Sequence, residues 1–215
     1  MRFRGHPLAY PVVVTIGALA MCFAWAPVGD MELRGLLATL ILIILGYTGF
    51  RVGYALRGTG GVDAGMTARR IRQQFRLVSR SWLECTTDGR TLWVPVYFDP
   101  ALLMLTRARV DIAGRAIHID GFRVYPAGRS RDSEPVGRLV DNPSRPDPDA
   151  GELAATATRW RRRLLLDAQS AVVAPFVGLF WVHVAGGGTL AFVAVTVVAG
   201  TTVTWLNAVR GSDPS

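Results

Sequence analysis

The sequence predicts an α-helical membrane protein, with four transmembrane helices arranged as two hairpins and a small, mostly-β cytoplasmic domain between the second and third. Three observations carry this. The apolar residues are bunched into charge-free runs rather than spread as in a soluble domain. Between the second and third runs the hydrophobic period changes to two. The basic residues gather at one side of every run.

Residues 9–26, 35–50 and 168–209 carry no Asp, Glu, Lys or Arg. A helix needs about 20 apolar residues to cross a hydrocarbon core of about 30 Å. The last run is therefore long enough for two spans, and Gly186-Gly187-Gly188 near its middle is a natural turn. The expected spans are about 8–27, 35–56, 164–185 and 189–209. The first run also has the basic start (Arg2, Arg4) and apolar core of a signal peptide. Its length, the early Pro11 and the lack of a clean small-x-small site before Asp30 favour a membrane hairpin. The resulting division is a hairpin over 1–57, a basic cytoplasmic domain over 58–125, a flexible linker and helix start over 126–158, and a second hairpin over 159–215.

The 24 basic residues are all arginine. Arg2, Arg4, Arg51, Arg57, Arg159, Arg161, Arg162, Arg163 and Arg210 fall on one side of a four-span chain. The two short loops carry Asp30, Glu32 and a single Arg34 between them. By the positive-inside rule, both termini and the middle domain face the cytoplasm of a cell (inner or plasma) membrane. The net charge of +8 is concentrated in the middle segment. It favours topology retention and attraction to anionic lipid headgroups. Mixed charge without a recognition motif points away from nucleic acid.

In the middle segment, Ile71, Phe75, Val78 and Trp82 stand at helical spacing and predict an amphipathic helix over 66–82. Its second half also reads as a strand. Next come short strands at 82–86, 91–98, 107–112, 116–120 and 122–125. Thr87-Asp88-Gly89-Arg90 and Ala113-Gly114-Arg115 are the turns between them. Asp99-Pro100 opens a helical turn through 101–105. Residues 126–150, rich in Pro, Asp, Ser and Arg, predict a flexible linker, and a helix starts near 149–152.

The chemistry-bearing residues are few. His6, His118 and His183 fall in the tail, the sheet and the far end of the third span. Cys22 and Cys85 do not pair. The sequence has no Walker loop, dinucleotide glycine pattern, HExxH, nucleophile elbow or CxxC. No catalytic, cofactor-binding or metal residue is assigned, and the expectation is a non-enzymatic protein without a cofactor. The interface and partner candidates are Arg159, Arg161, Arg162, Arg163, Asp167, Gly49 and Gly53. The arginines hold the start of the third span at the membrane face. Asp167 is expected to be shallow and paired with Arg163 one turn earlier; a polar contact to another helix or subunit is the alternative. Gly49-x-x-x-Gly53 is a small-xxx-small pair, serving either packing among the four spans or association with another subunit. Pro175 and Gly178 are expected to kink the third span, and Trp25, Trp181 and Trp205 to anchor span ends.

WVPVYFDPALLML at 93–105, LLLDAQSAVVAPFVGLFW at 164–181 and AVRGSDPS at 208–215 resemble stretches of four-span conserved membrane proteins of mycobacteria and related actinobacteria, including accessory subunits of Mce lipid-import complexes. A weaker architectural likeness is to bacterial proteins that set a pleckstrin-like β domain beside a membrane hairpin. The resemblance implies an accessory or assembly role among other membrane subunits and supplies no catalytic residues. A small transporter or a lipid-acting membrane enzyme is the alternative.

Overall fold

The computed structural model describes residues 5–141 and 147–215. Three helices are long and apolar enough to cross a membrane: Met31–Arg57, Trp160–Ala185 and Gly188–Val209. The first apolar run forms a helix that is shorter by that measure, Ala9–Trp25. In chain order the helices are α1 (Ala9–Trp25), α2 (Met31–Arg57), α3 (Ala150–Ala157), α4 (Trp160–Ala168), α5 (Ala174–Ala185) and α6 (Gly188–Val209). The second helix begins four residues earlier than the apolar run suggests because Asp30 caps it. The Asp30 carboxylate accepts from Leu33 N–H at 2.8 Å and satisfies one of the orphan donors of the first turn. Gly186 and Gly187, at φ +79° and +89°, make the turn between α5 and α6, a backbone region that glycine enters without a Cβ penalty.

The candidate span Trp160–Ala185 is not one regular helix. Residues Gln169–Val173 tighten to a 3-10 helix between α4 and α5. Pro175 cannot donate to the carbonyl four residues earlier and crowds it, so the change of winding falls where the sequence places the proline. Gly178 has a different role. A Cβ there would collide with Thr196 Oγ1 and lie 3.0 Å from the Phe192 carbonyl oxygen, so α5 and α6 meet backbone to backbone at this glycine. Ala18, Cys22, Leu37, Ile44, Val195 and Val198 form the core among α1, α2 and α6. The hydroxyl of Thr48 accepts from Trp205 Nε1 at 3.0 Å within it. Trp205 is thus a buried packing residue, 2% exposed, and not the interfacial anchor expected from its place near a span end. The outward faces remain apolar, with Ile16, Phe23, Leu42, Phe50, Phe176 and Phe180 all exposed.

The middle segment is an antiparallel sheet of seven strands: β1 (Thr67–Phe75), β2 (Val78–Thr87), β3 (Arg90–Val96), β4 (Ala108–Ala113), β5 (Ala116–Ile119), β6 (Phe122–Val124) and β7 (Arg138–Asp141). Their order is β3-β2-β1-β4-β5-β6, with β7 beside the second half of β1. The expected amphipathic helix over 66–82 is therefore a β-hairpin. The reason lies in the register: Ile71 stands opposite Trp82, and Phe75 opposite Val78. Residues spaced as one helical stripe are cross-strand neighbours instead, and the β-branched and aromatic content suits that pairing. Leu83, Cys85, Leu92, Val94, Val110 and Ile117 fill the core of the sheet domain. Each large apolar side chain among them, fully buried, contributes roughly 1.5–3 kcal/mol.

The expected linker is also corrected. Residues 126–131 bond along β3: Ala127 N–H donates to Pro95 O at 2.7 Å, and Arg131 and Trp93 exchange both backbone bonds. Polar composition does not prevent a segment from lying on an edge strand that offers free backbone groups. Part of the expected linker, 142–146, lies outside the described residues. Beyond it a helix does begin as expected, at the start of α3. It packs through Ala150, Ala154 and Ala157 on Phe98 and Leu103. It does not run on into α4, because Arg159 is extended (φ −66°, ψ 120°) and breaks the chain direction before Trp160.

Candidate functional site

The sheet domain docks where α1 and α4 begin and α2 and α6 end. Each contact answers a local need. The last carbonyls of a helix have no intrahelical donors. Arg123 reaches from β6 to the Leu56 carbonyl of α2 at 2.9 Å, and Tyr97 Oη donates to the Val209 carbonyl of α6 at 2.6 Å. Leu8, Ala55, Tyr97, Tyr125 and Ala127 form a small apolar cluster between them.

Residues 210–215 (RGSDPS) fold back over this junction. Gly211, at φ +80°, sits with its Cα hard against Ala127, where a Cβ would lie 2.8 Å from the Ala127 methyl. The turn lets Asp213 N–H donate to the Ser79 carbonyl at 2.9 Å, adding this segment to the edge of β2. The Asp213 carboxylate then meets Arg70 at 2.7 Å, and both side chains are completely buried. Ser81 donates to the same carboxylate, and Ser215 supplies its N–H and hydroxyl. Burial pushes the Asp213 carboxyl up, but Arg70 and the Ser215 and Ser81 donors outweigh it and hold it at about 2.

One residue before, Ser212 Oγ donates to Asp167 Oδ2 at 3.0 Å. The same oxygen accepts from Tyr10 Oη at 2.6 Å, while Asn207 Nδ2 donates to the Asp167 carbonyl at 3.0 Å. Asp167 is thus 3% exposed and bonded to α1, α6 and the returning segment. The expected ion pair with Arg163 is not formed. The guanidinium of Arg163 lies 3.9 Å over the Tyr10 ring and 5.6 Å from that of Phe98, a cation–π arrangement. No Arg163–Asp167 pair within 4 Å occurs among the described residues. The alternative, a polar contact to another helix, describes the site.

The other candidates separate. Arg162 donates through Nε to the Pro214 carbonyl at 3.0 Å, joining α4 to the returning segment. Arg159 and Arg161 are exposed. A Cβ added at Gly49 or Gly53 would meet nothing within 4 Å, so the pair does not serve packing within this chain. His183 lies near the end of α5 that leads into the Gly186 turn, apart from Asp167 in α4.

A second feature was not foreseen. A cavity of about 610 Å³ opens between the β1–β2 hairpin and the helices, with Arg76, Arg80, Arg131 and Arg210 on its walls. A recess of about 220 Å³ adjoins it and brings Arg51 and Arg129 beside Arg80, Arg131 and Arg210. Burial lowers the Arg80 pKa, and the charges of Arg210, Arg51 and Arg131 lower it further. The arginine count and the one-sided charge were visible in the sequence. Their convergence needed the hairpin that the helical spacing concealed.

These features define a chain with three helices able to cross a membrane and an antiparallel sheet docked on their ends, the build of a multi-pass membrane protein. No protein-family model matches the chain, and neither curated proteins nor solved structures match it.

Proposed function

We propose that the protein is a non-enzymatic, four-span integral membrane protein of the cell membrane, with its sheet domain in the cytoplasm. It acts as an accessory or assembly subunit of an envelope complex, of the Mce lipid-importer kind. On this reading α1 is the fourth span. At 1.5 Å per residue its 17 residues extend about 26 Å, and the turn after Trp25 supplies the rest of the core thickness.

The observation that carries the subunit reading is the open face of α2. Gly46, Gly49 and Gly53 have no neighbour within 4 Å of where a Cβ would stand, while Leu42, Leu45 and Phe50 are exposed around them. Small residues of this spacing let another helix approach closely, and helix association in lipid depends on such packing. The sheet domain, tied to all four helix ends, gives the subunit a fixed cytoplasmic surface. Its basic charge favours contact with anionic lipid headgroups.

The test is a pull-down of the tagged protein from mild detergent, read by mass spectrometry. Co-purification of other envelope membrane proteins, lost on Gly49→Leu, is the expected result. Recovery of the protein alone, where known membrane complexes survive the same detergent, contradicts the reading.

The second reading is a small transporter or lipid-acting membrane enzyme. It is favoured by an apolar cleft of about 760 Å³ between α1 and α4–α6, lined by Val13, Met21, Leu164, Pro175 and Val197. Loss of a lipid or ion flux in proteoliposomes on Asp167→Ala and His183→Ala, at normal expression, would favour it.

A further inference from the structure

We infer that the cavity between the β1–β2 hairpin and the helices binds an anionic phospholipid, with its phosphate held by Arg80, Arg131 and Arg210. The cavity combines two chemistries in its lining. Arg76, Arg80, Arg131 and Arg210 supply one. Val172, Val173 and Val203 of the last two spans supply the other, with Phe75 and Leu77 at the hairpin tip.

Among the described residues, no carboxylate lines either the cavity or its adjoining recess. Among the described residues, none of Arg51, Arg76, Arg80, Arg129, Arg131 and Arg210 stands within 4 Å of an acid. Three other arginines of the sheet domain do have acidic partners: Arg69 with Glu84, Arg70 with Asp213 and Arg90 with Asp132. Arg131 is set by stacking on Trp82, 5.5 Å from the ring centroid, and Arg210 by its Nε–Tyr47 Oη bond at 3.3 Å. Like charges gathered in a partly buried recess repel one another, and an anion relieves that repulsion. Guanidinium groups suit phosphate because their planar forks donate in pairs.

The apolar wall decides for a lipid rather than free phosphate. Val172 and Val173 are 64% and 49% exposed on a membrane-length helix, so acyl chains can leave the cavity along that helix into the bilayer. Phe75 and Leu77, 52% and 48% exposed, line the same cavity at the hairpin tip and extend its apolar surface. The inference rests on the membrane placement proposed above and is independent of any partner complex.

The experiment uses the full chain in neutral detergent, titrated with phosphatidylglycerol or phosphatidylcholine and read by native mass spectrometry. Phosphatidylglycerol is expected to bind at least about tenfold more tightly. Arg80→Gln/Arg131→Gln is expected to remove about tenfold of that affinity, and Arg107→Gln/Arg115→Gln, beside β4 and in its turn, to leave it unchanged. Millimolar inorganic phosphate should not compete. Equal binding of the two lipids, an unchanged Arg80/Arg131 variant, or full competition by phosphate would each overturn the assignment. Should the variant fail to fold, photo-crosslinking of the wild type with a diazirine-acyl phosphatidylglycerol decides. Adducts at Val172 or Val173 support the site, and adducts confined to other helices overturn it. A protein found alone in the pull-down would refute the subunit reading and leave these outcomes untouched.

Discussion

Tyr10 and Asp167, 157 residues apart in sequence, share a buried hydrogen bond of 2.6 Å from phenol to carboxylate. The bond joins α1 to α4 beside the sheet domain. Ser212 closes on the same oxygen, so one carboxylate fastens both hairpins and the returning segment. Removing the phenol oxygen leaves a buried acceptor with one donor fewer. Tyr10→Phe is expected to cost about 1–3 kcal/mol, read as lowered thermal stability in detergent. Asp167→Asn, which keeps an acceptor, should cost less than Asp167→Leu, which orphans the Tyr10 and Ser212 hydroxyls together. Equal stability of the leucine variant and the wild type would contradict this network.

Arg70 and Asp213 give a pH-dependent prediction. The folded Asp213 carboxyl stands at about 2, below the value of about 3.9 of an unfolded aspartate. A depressed folded pKa contributes stability that is present above about pH 4 and is lost as pH falls toward 2. Unfolding followed from pH 6 to pH 2 should show that loss, and Asp213→Asn should flatten it. At neutral pH, Arg70→Met leaves the carboxylate buried without its partner and is expected to cost about 3–5 kcal/mol. The double variant Arg70→Met/Asp213→Leu should recover much of it.

Much of the fold was legible in the sequence because its signals are local. Charge-free runs, Gly186-Gly187-Gly188 and Asp88-Gly89 fix where helices and hairpins lie. What was hidden depended on pairing at a distance. The stripe Ile71–Phe75–Val78–Trp82 fits both a helix face and a tight hairpin, and only the partner strands decide. Reading it as a helix also hid Arg70, which follows Ala68 onto the buried face of β1. Asp167 looked like an interfacial residue because it follows Arg159, Arg161, Arg162 and Arg163 by about one helical turn. Its burial comes from Tyr10 and Ser212, which no spacing within α4 reveals.

Gly178 and Gly49 separate contacts inside the chain from contacts outside it. Gly178→Ala drives a methyl into Thr196 and the α6 backbone, and is expected to cost about 1–3 kcal/mol. Gly49→Ala meets open space and should leave the stability of the isolated chain unchanged or slightly raised. Thermal unfolding of both variants in the same detergent checks the contrast.

The two native thiols should be silent toward alkylation. Cys22 is buried in the bundle. Burial, with Glu84 beside it, pushes the Cys85 thiol up to about 12, so almost no thiolate exists near neutral pH. Maleimide uptake by the wild type should appear only on unfolding, read as mass added against denaturant concentration.

That silence makes the topology directly measurable, and the proposed membrane placement supports both the subunit reading and the lipid site. Val28→Cys, in the first short loop, Thr189→Cys, beside the glycine turn, and Asp88→Cys, at the tip of the β2–β3 turn, are all at exposed positions. A membrane-impermeant maleimide added to intact cells should label Val28→Cys and Thr189→Cys and should reach Asp88→Cys only after lysis. External labelling of Asp88→Cys, or of only one of the two loop positions, would contradict a four-span protein with its sheet domain in the cytoplasm.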